Sequence, residues 1–205
     1  MTVRIRQKIL SGAYAPGAPL LQDLIAAEFG TSKIPVREAL LSLRAEGLVD
    51  IFAHRGFQVR PLEISEMQEV HRLRLDIEPA AAARGARVAT PTDVSTARSA
   101  LTALNDALSK GELTDAGDLN CAFHLSLIVP HLNPVTSQIL GRLHTLSQRY
   151  VRLHLTSAVG RVKRANREHS AIYVAWAGKK DREVARLVRA HIEETSQELA
   201  DALKR

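Results

Sequence analysis

The chain has 205 residues, a formal net charge of +6 and a hydrophobic content of 45%. This composition supports a packed core and excludes global disorder, and an aromatic content of only 4% favours helices over an all-β sandwich. No apolar run approaches the roughly 18 residues that a membrane helix needs, and the charged N-terminus lacks the apolar core of a signal peptide. We therefore expect a soluble cytoplasmic protein with no membrane partner. The positive net charge alone does not decide whether the protein binds a nucleic acid.

The first sixty residues combine short helical and β-type patterns. After a short amphipathic stretch, apolar residues at helical spacing predict a helix over 20–29. Ser32 has the side chain of a helix N-cap, and the helix that it opens extends to about Glu46. Two β-rich segments, 48–52 and 57–60, follow and are joined by a turn. This order of elements is that of a winged helix-turn-helix.

From residue 64 onward the pattern is helical to the end of the chain. Its breaks predict about six helices of roughly 15 to 25 residues, the lengths found in antiparallel bundles. The predicted fold is mainly α: a winged helix-turn-helix with a small β-hairpin over 1–62, followed by an antiparallel helical bundle over 63–205.

The third predicted helix carries a basic stripe beside its apolar stripe. Lys33, Arg37 and Arg44 lie about a quarter turn from the apolar positions. If the apolar stripe is buried, these cations are placed as in a recognition helix, which contacts phosphates and base edges. The predicted hairpin tip adds Arg55 and Gly56. A solvated charged face with intrahelical ion pairs is the alternative, and the stripe alone does not decide between them.

Histidines recur on three predicted helices of the bundle. His124 follows Asn120 by four residues, so both lie on one helix face. His169 and His191 lie on the last two helices, at comparable distances from the turn near Gly178. The spacing permits a cluster in the bundle core, and imidazoles with an oxygen ligand suit Zn²⁺, Ni²⁺, Co²⁺ or Mn²⁺. Hydrogen-bonded core or surface histidines are the alternative, and this is how we interpret His131, His144 and His154.

Three segments of the N-terminal half carry a resemblance to a known family. They are PGAPL at 16–20, FGTSKIPVREAL at 29–40 and LRAEGLV at 43–49. Together they resemble the DNA-binding domain of GntR-family transcription regulators. The resemblance implies that the start of the third helix contacts operator phosphates and bases and that the wing enters the minor groove. The candidate DNA-binding residues are Ser32, Lys33, Pro35, Arg37, Arg44, Arg55 and Gly56.

The sequence departs from the pattern of this family at several positions. Lys33 stands where the family usually has Arg. The ammonium group of lysine is a point charge and cannot form the paired hydrogen bonds of a guanidinium. Ile34 replaces the usual Thr, and Asp23 lies where a basic residue often touches phosphate. The first helix is shorter than in the family, which indicates an initiation codon upstream of Met1.

The second half resembles the FCD effector domain of the FadR-type GntR subfamily. The resemblance lies in NCAFH at 120–124, NP at 133–134, EHSAI at 168–172 and the segment 185–191. The resemblance implies that the bundle over 63–205 binds the effector and forms the dimer. Many FCD domains hold a divalent metal on one Asp and three His, with an organic acid bound to it or beside it.

Matched residue by residue, the implied metal ligands are His124, His169 and His191, with Asn120 at the Asp position. An amide oxygen carries no charge, so metal affinity should be lower and the site more positive, which favours an anionic ligand. The alternative is a site that has lost its metal and binds the acid directly.

Arg74 lies on the first helix of the bundle, one turn before Glu78. The resemblance implies that this arginine faces the effector pocket, where its guanidinium could form two parallel hydrogen bonds with a carboxylate. The alternative is an intrahelical Arg–Glu ion pair.

We therefore expect a ligand-responsive transcription regulator, a repressor, that binds a pseudo-palindromic operator as a homodimer and responds to a small carboxylate. A metal-dependent hydrolase-type enzyme is the alternative, because a metal with open positions activates water. Glu168 is the one candidate base near the cluster, and its position in the helix predicts a different face. An architectural DNA binder would leave the three histidines without a role. We expect no enzymatic activity.

Overall fold

The computed structural model describes residues 1–53, 56–111, 113–129, 133–157 and 159–203. By their internal contacts the residues divide into two compact units, 1–63 and 64–205. The described helices include none whose length and apolarity would let it span a bilayer.

The first unit is a winged helix-turn-helix. Its elements are α1 (Thr2–Leu10), β1 (Pro19–Leu20), α2 (Gln22–Glu28), α3 (Lys33–Ala45), β2 (Val49–Phe52) and β3 (Gly56–Val59). The three strands form an antiparallel sheet in the order β1-β3-β2. Apolar residues of all three helices and of the sheet share one core.

The second predicted helix begins later than its apolar spacing indicates. Leu20 pairs with Phe57 in the sheet, and its side chain is buried there. α2 begins only at Gln22, after the extended residue Leu21. Pairing with β3 outweighs helical spacing at Leu20, and Pro19 is tolerated because β1 is an edge strand. The helix ends as predicted, with Gly30 at a φ of 62°, a conformation that side chains disfavour.

Ser32 occupies the N-cap position of α3, as predicted, but its side chain makes no capping hydrogen bond. α3 ends at Ala45 with Glu46 as its C-cap. The hairpin of β2 and β3 is confirmed, with Val49 opposite Val59 and Phe52 opposite Gly56.

The described part of the second unit consists of six helices, as predicted. They are α4 (Ile64–Val88), α5 (Pro91–Lys110), α6 (Leu113–Ser126), α7 (Pro134–Ser157), α8 (Val159–Ala177) and α9 (Asp181–Leu203). α4 packs along α9 and α7, and α8 packs on α9. The start of α5 is a capping box in which Thr90 and Asp93 exchange hydrogen bonds, which satisfies two otherwise unpaired backbone donors.

A close approach fixes three of these helices relative to one another. A Cβ atom on Gly85 of α4 would lie 1.9 Å from the carbonyl oxygen of Leu127, which follows α6. The same oxygen accepts a 2.8 Å hydrogen bond from Nε1 of Trp176 on α8. Glycine is therefore required where α4 meets the chain after α6, and α4, α6 and α8 each carry residues of the site described next.

Candidate functional site

The apolar stripe of α3 is buried and its basic stripe is exposed. Val36, Leu40 and Leu43 have no exposed surface, because they pack into the core of the first unit. The side chains of Lys33, Arg37 and Arg44 lie outside that core and are exposed. This is the arrangement that a recognition helix needs, and contact with DNA stays a prediction.

The other predicted DNA contacts lie around the ends of α3 and the wing. Ser32 is exposed and Pro35 is half-buried in the first turn of α3. Gly56 begins β3 with a φ of 74°. Arg55 lies outside the described residues.

Lys33 forms an ion pair with Asp23. Its Nζ lies 2.6 Å from Oδ1 of Asp23, and both side chains are more than half exposed. The acidic residue that replaces an expected phosphate contact therefore also pairs with a neighbouring cation. A pair this exposed contributes little to the free energy of folding.

In the second unit, three histidines from three helices converge. His124 of α6, His169 of α8 and His191 of α9 are all buried, and their candidate ligand atoms lie within 4.8 Å of one another. The Nε2 atoms of His169 and His191 are 3.2 Å apart. Asn120, one turn before His124, is half-buried and lines the same cavity as His169 and His191.

Glu168 lies closer to the cluster than its position in the sequence indicates. Its Oε2 is 2.7 Å from Nδ1 of His191, so the prediction that it points away from the cluster is wrong. The side chain is long enough to bridge α8 and α9, although its neighbour His169 occupies the adjacent face. Arg164 holds the same carboxylate through contacts of 2.6 and 2.7 Å and also binds Glu198.

A second carboxylate contacts the cluster from α4. Oε1 of Glu78 lies 2.6 Å from Nδ1 of His124, and Oε2 lies 3.2 Å from Nε2 of His144 on α7. These side chains are at most 1% exposed. The interpretation of His144 as a core or surface group missed this contact, because no local pattern links residues so distant in sequence.

Both predictions for Arg74 describe part of its environment. Nε of Arg74 donates to Oε2 of Glu78 at 2.8 Å, as an intrahelical pair should, and Nη1 donates to Ser147 at 3.2 Å. The arginine also lines the cavity beside His169. The pair is almost fully buried, so it belongs to the site and not to the surface.

Burial sets the protonation states of these groups. It lowers the pKa of His124 and of His191 to about 4 and that of His169 well below its usual value. Burial also opposes ionisation of Glu78. The nearby Arg74, His144 and His124 outweigh this effect and hold the pKa of the Glu78 carboxyl well below its ordinary value. At neutral pH the imidazoles are therefore neutral and the carboxylate is ionised.

These donors fit a divalent transition metal. Such ions prefer neutral imidazoles, with the other ring nitrogen held by a carboxylate, and His191 has this arrangement through Glu168. Nε2 of His124 and Nδ1 of His169 are buried and lack a hydrogen-bond partner within the described part of the chain. Buried polar atoms of this kind need an explanation, and a bound ion supplies one for His124.

The cavity beside the histidines has a volume of about 500 Å³, counted with its opening to solvent. Its described polar lining comprises Arg74, Asn120, His169, His191 and Thr195. The predicted effector residue and three of the four predicted metal ligands thus line one cavity, and the fourth, His124, lies next to it.

Comparison with known proteins gives matches over both halves of the chain. Residues 2–59 match the bacterial regulatory proteins of the gntR family, and residues 69–194 match the FCD domain. The transcriptional regulator McbR of Escherichia coli is 27% identical over 139 residues, which are 68% of this chain and 63% of McbR. The transcriptional repressor RspR of the same species is 30% identical over 120 residues, 58% of this chain and 53% of RspR.

A solved structure supports the fold. The structure of E. coli McbR/YncC covers 98% of this chain and 95% of its own, with a TM-score of 0.84 and 21% identity. The matched family and relatives are transcriptional regulators, so the expectation that the chain is not an enzyme is confirmed and the hydrolase-type alternative is wrong. With the matched models covering most of its length, the chain belongs to the GntR family of bacterial regulatory proteins, in the group that carries an FCD domain.

Proposed function

We propose that this protein is an effector-responsive transcription regulator that binds an operator through α3 and the wing. The observation that carries the proposal is the division of α3 into a buried apolar stripe and an exposed stripe of Lys33, Arg37 and Arg44. Lysine and arginine supply both phosphate contacts and guanine recognition.

We propose further that the protein acts as a homodimer on a pseudo-palindromic operator. One recognition helix contacts only a few base pairs, and two-fold symmetry brings a second helix to the next half-site. Repression is the direction we infer, in line with the relative RspR, which is a repressor.

The helical unit is proposed as the sensor. His124, His169 and His191, with the amide oxygen of Asn120, would hold a divalent Zn, Ni, Co or Mn ion, and Arg74 would contact a small carboxylic acid. The bound ion would supply a Lewis-acidic position for the carboxylate. Three convergent neutral imidazoles beside a cavity support this assignment.

Such an effector would change operator affinity only through its preference for one arrangement of the protein. By thermodynamic reciprocity, operator DNA must then change the affinity for the effector by the same factor. This reciprocity gives a direct check on any acid that is found to bind.

A metal-free regulator is the second candidate. Asn120 favours it, because a neutral amide offers less to a cation than the Asp that the resembled domain carries. In that case the acid would be held by Arg74 and by hydrogen bonds from the neutral histidines.

The DNA-binding proposal is tested with an operator selected from a randomised duplex pool by the wild-type protein. Lys33→Ala and Arg37→Ala should each weaken binding by about 1–3 kcal/mol if the residue contacts a base. Lys110→Ala removes an exposed cation of the helical unit and serves as the control. Unchanged affinity in both α3 variants would refute the assignment.

The sensor proposal is tested by elemental analysis of the untagged protein and of His169→Ala. One divalent ion per chain that is lost in the variant supports the metal-bound form. An ion retained at full stoichiometry by His169→Ala contradicts the ligand set. Absence of metal from the wild type selects the metal-free candidate.

A further inference from the structure

The lining of the cavity in the helical unit divides into two chemically different parts. One part is apolar, and its residues are at most 6% exposed to solvent: Leu104 and Leu108 of α5, Ala116 at the start of α6 and Ile192 of α9. α5 packs on α6, so Leu104, Leu108 and Ala116 lie on neighbouring helices. Ile192 of α9 and a further apolar lining residue, Ala165 of α8, lie on helices that also carry polar lining groups. The polar lining groups come from α4, the later part of α6, α8 and α9.

Only one formal charge faces this cavity among the described residues that line it. That charge is Arg74, and Glu78 already compensates it through the 2.8 Å contact. Arg74 and any ion held by the histidines, the cationic groups that the site can offer, therefore both belong to the polar part of the lining.

The two parts make opposite demands on a ligand. A carboxylate at the polar end can accept hydrogen bonds from the guanidinium or occupy an open position on a bound ion. A second carboxylate or a hydroxyl-rich tail would lie against Leu104 and Leu108, which have no donor for it, and burying an unpaired polar group is unfavourable. Methylene groups at the same place are removed from water, which is favourable.

We propose that the effector is a small monocarboxylic acid with an apolar tail, and that acids with a second charged group at the far end are rejected. This inference rests on the proposed function of the cavity as the effector site. It adds the selectivity, which it assigns to Leu104, Leu108, Ala116 and Ile192.

A matched pair of acids tests the proposal on the full-length protein as purified. Hexanoate and adipate both have six carbons and differ only in that a second carboxylate replaces the terminal methyl group. Isothermal titration calorimetry should show hexanoate binding at least about 100-fold more tightly than adipate. Along acetate, butyrate and hexanoate, affinity should rise by about fourfold for each added methylene.

A substitution then reverses the preference. Leu108→Arg places a cation on the apolar part and should strengthen adipate binding while weakening hexanoate binding. Leu108→Met keeps the apolar character and should preserve the wild-type preference. If Leu108→Arg does not fold, the acid series on the wild type still decides, because it needs no variant.

The outcomes separate this inference from the proposal on which it rests. Equal affinity for hexanoate and adipate, or no gain with tail length, would overturn the inference and leave the cavity as an effector site for acids in general. If none of these acids binds, with or without added zinc, the inference falls together with the effector site. Tight hexanoate binding whose selectivity Leu108→Arg does not alter would overturn the assignment to the apolar part.

Discussion

His191 donates its Nδ1 proton to Glu168 over 2.7 Å, and its Nε2 lies 3.2 Å from Nε2 of His169. Arg164 and His191 outweigh partial burial and lower the pKa of Glu168, so the carboxylate is ionised and must accept. The lone pair of His191 is thereby placed on Nε2. Both Nε2 atoms could therefore bind one divalent ion, since two imidazole nitrogens at 2.0–2.1 Å from a shared ion would lie about 3 Å apart, close to the observed separation.

This relationship predicts that Glu168→Gln weakens metal binding. The amide accepts a weaker hydrogen bond from His191 and no longer favours one tautomer, so affinity should fall about 10–100-fold. Competition with a chromogenic chelator measures the change. Glu198→Gln is the matched control, since Glu198 binds the same Arg164. Equal effects of both substitutions would assign the loss to Arg164 instead.

The neutral amide at position 120 predicts the opposite effect for Asn120→Asp. A carboxylate adds a negative charge to the ligand set, so zinc affinity should rise by about tenfold or more. The same chelator competition gives the value, and unchanged affinity would place Asn120 outside the ligand set. Gln7→Glu, at an exposed position of α1 in the first unit, is the control for the added charge.

The buried histidines predict loss of stability in acid. Burial and the Arg74 charge lower the pKa of His71 to about 4, whereas in the unfolded chain it is about 6.5. Between these values only the unfolded state takes up the proton, so the free energy of unfolding falls as the pH drops from 6.5 to 4. Each such histidine contributes roughly 1 kcal/mol per pH unit, and His124 and His191 act in the same direction.

Urea unfolding of the chelator-treated protein at pH 7, 6 and 5 checks this, with the fluorescence of Trp176, the single tryptophan, as the signal. His71→Gln should make the free energy of unfolding less dependent on pH, by roughly 1 kcal/mol per pH unit. Glu78, with its lowered pKa, adds a further loss below about pH 4.5. Stability that is constant over this range would contradict the protonation states assigned here.

The close approach at Gly85 predicts that Gly85→Ala is destabilising. A Cβ at 1.9 Å from the Leu127 oxygen forces α4 and the end of α6 apart, at a cost of about 1–3 kcal/mol or more. Thermal unfolding measures the loss. Gly111→Asn is a suitable comparison, because no atom of the described residues lies within 4 Å of a Cβ there and asparagine tolerates the positive φ.

Local sequence patterns were sufficient for most of the fold. The N-cap position of Ser32 and the apolar stripe of α3 depend on residues within a few positions of one another, and both predictions are confirmed. Leu20 was misplaced because its strand partner, Phe57, is distant in sequence.

The site shows the same division between local and distant contacts. The spacing of Asn120 and His124 and the resemblance located the histidine cluster correctly. The contacts of Glu78 with His144 and of Glu168 with His191 join different helices, and residue spacing carries no signal for them. The metal, the effector and the DNA contacts stay predictions, because side-chain positions alone do not identify a bound partner.

The ion pair between Lys33 and Asp23 has a consequence for how the protein searches DNA. A phosphate that approaches Lys33 must displace a carboxylate that is held beside it, and fewer counterions are released in exchange than for an unpaired lysine. Attraction to any stretch of duplex is thereby reduced at this position, regardless of base sequence. The proposed contact of Lys33 with the operator meets the same competitor, so we expect the pair to lower the affinity for all duplexes alike and to leave the preference for the operator to base contacts.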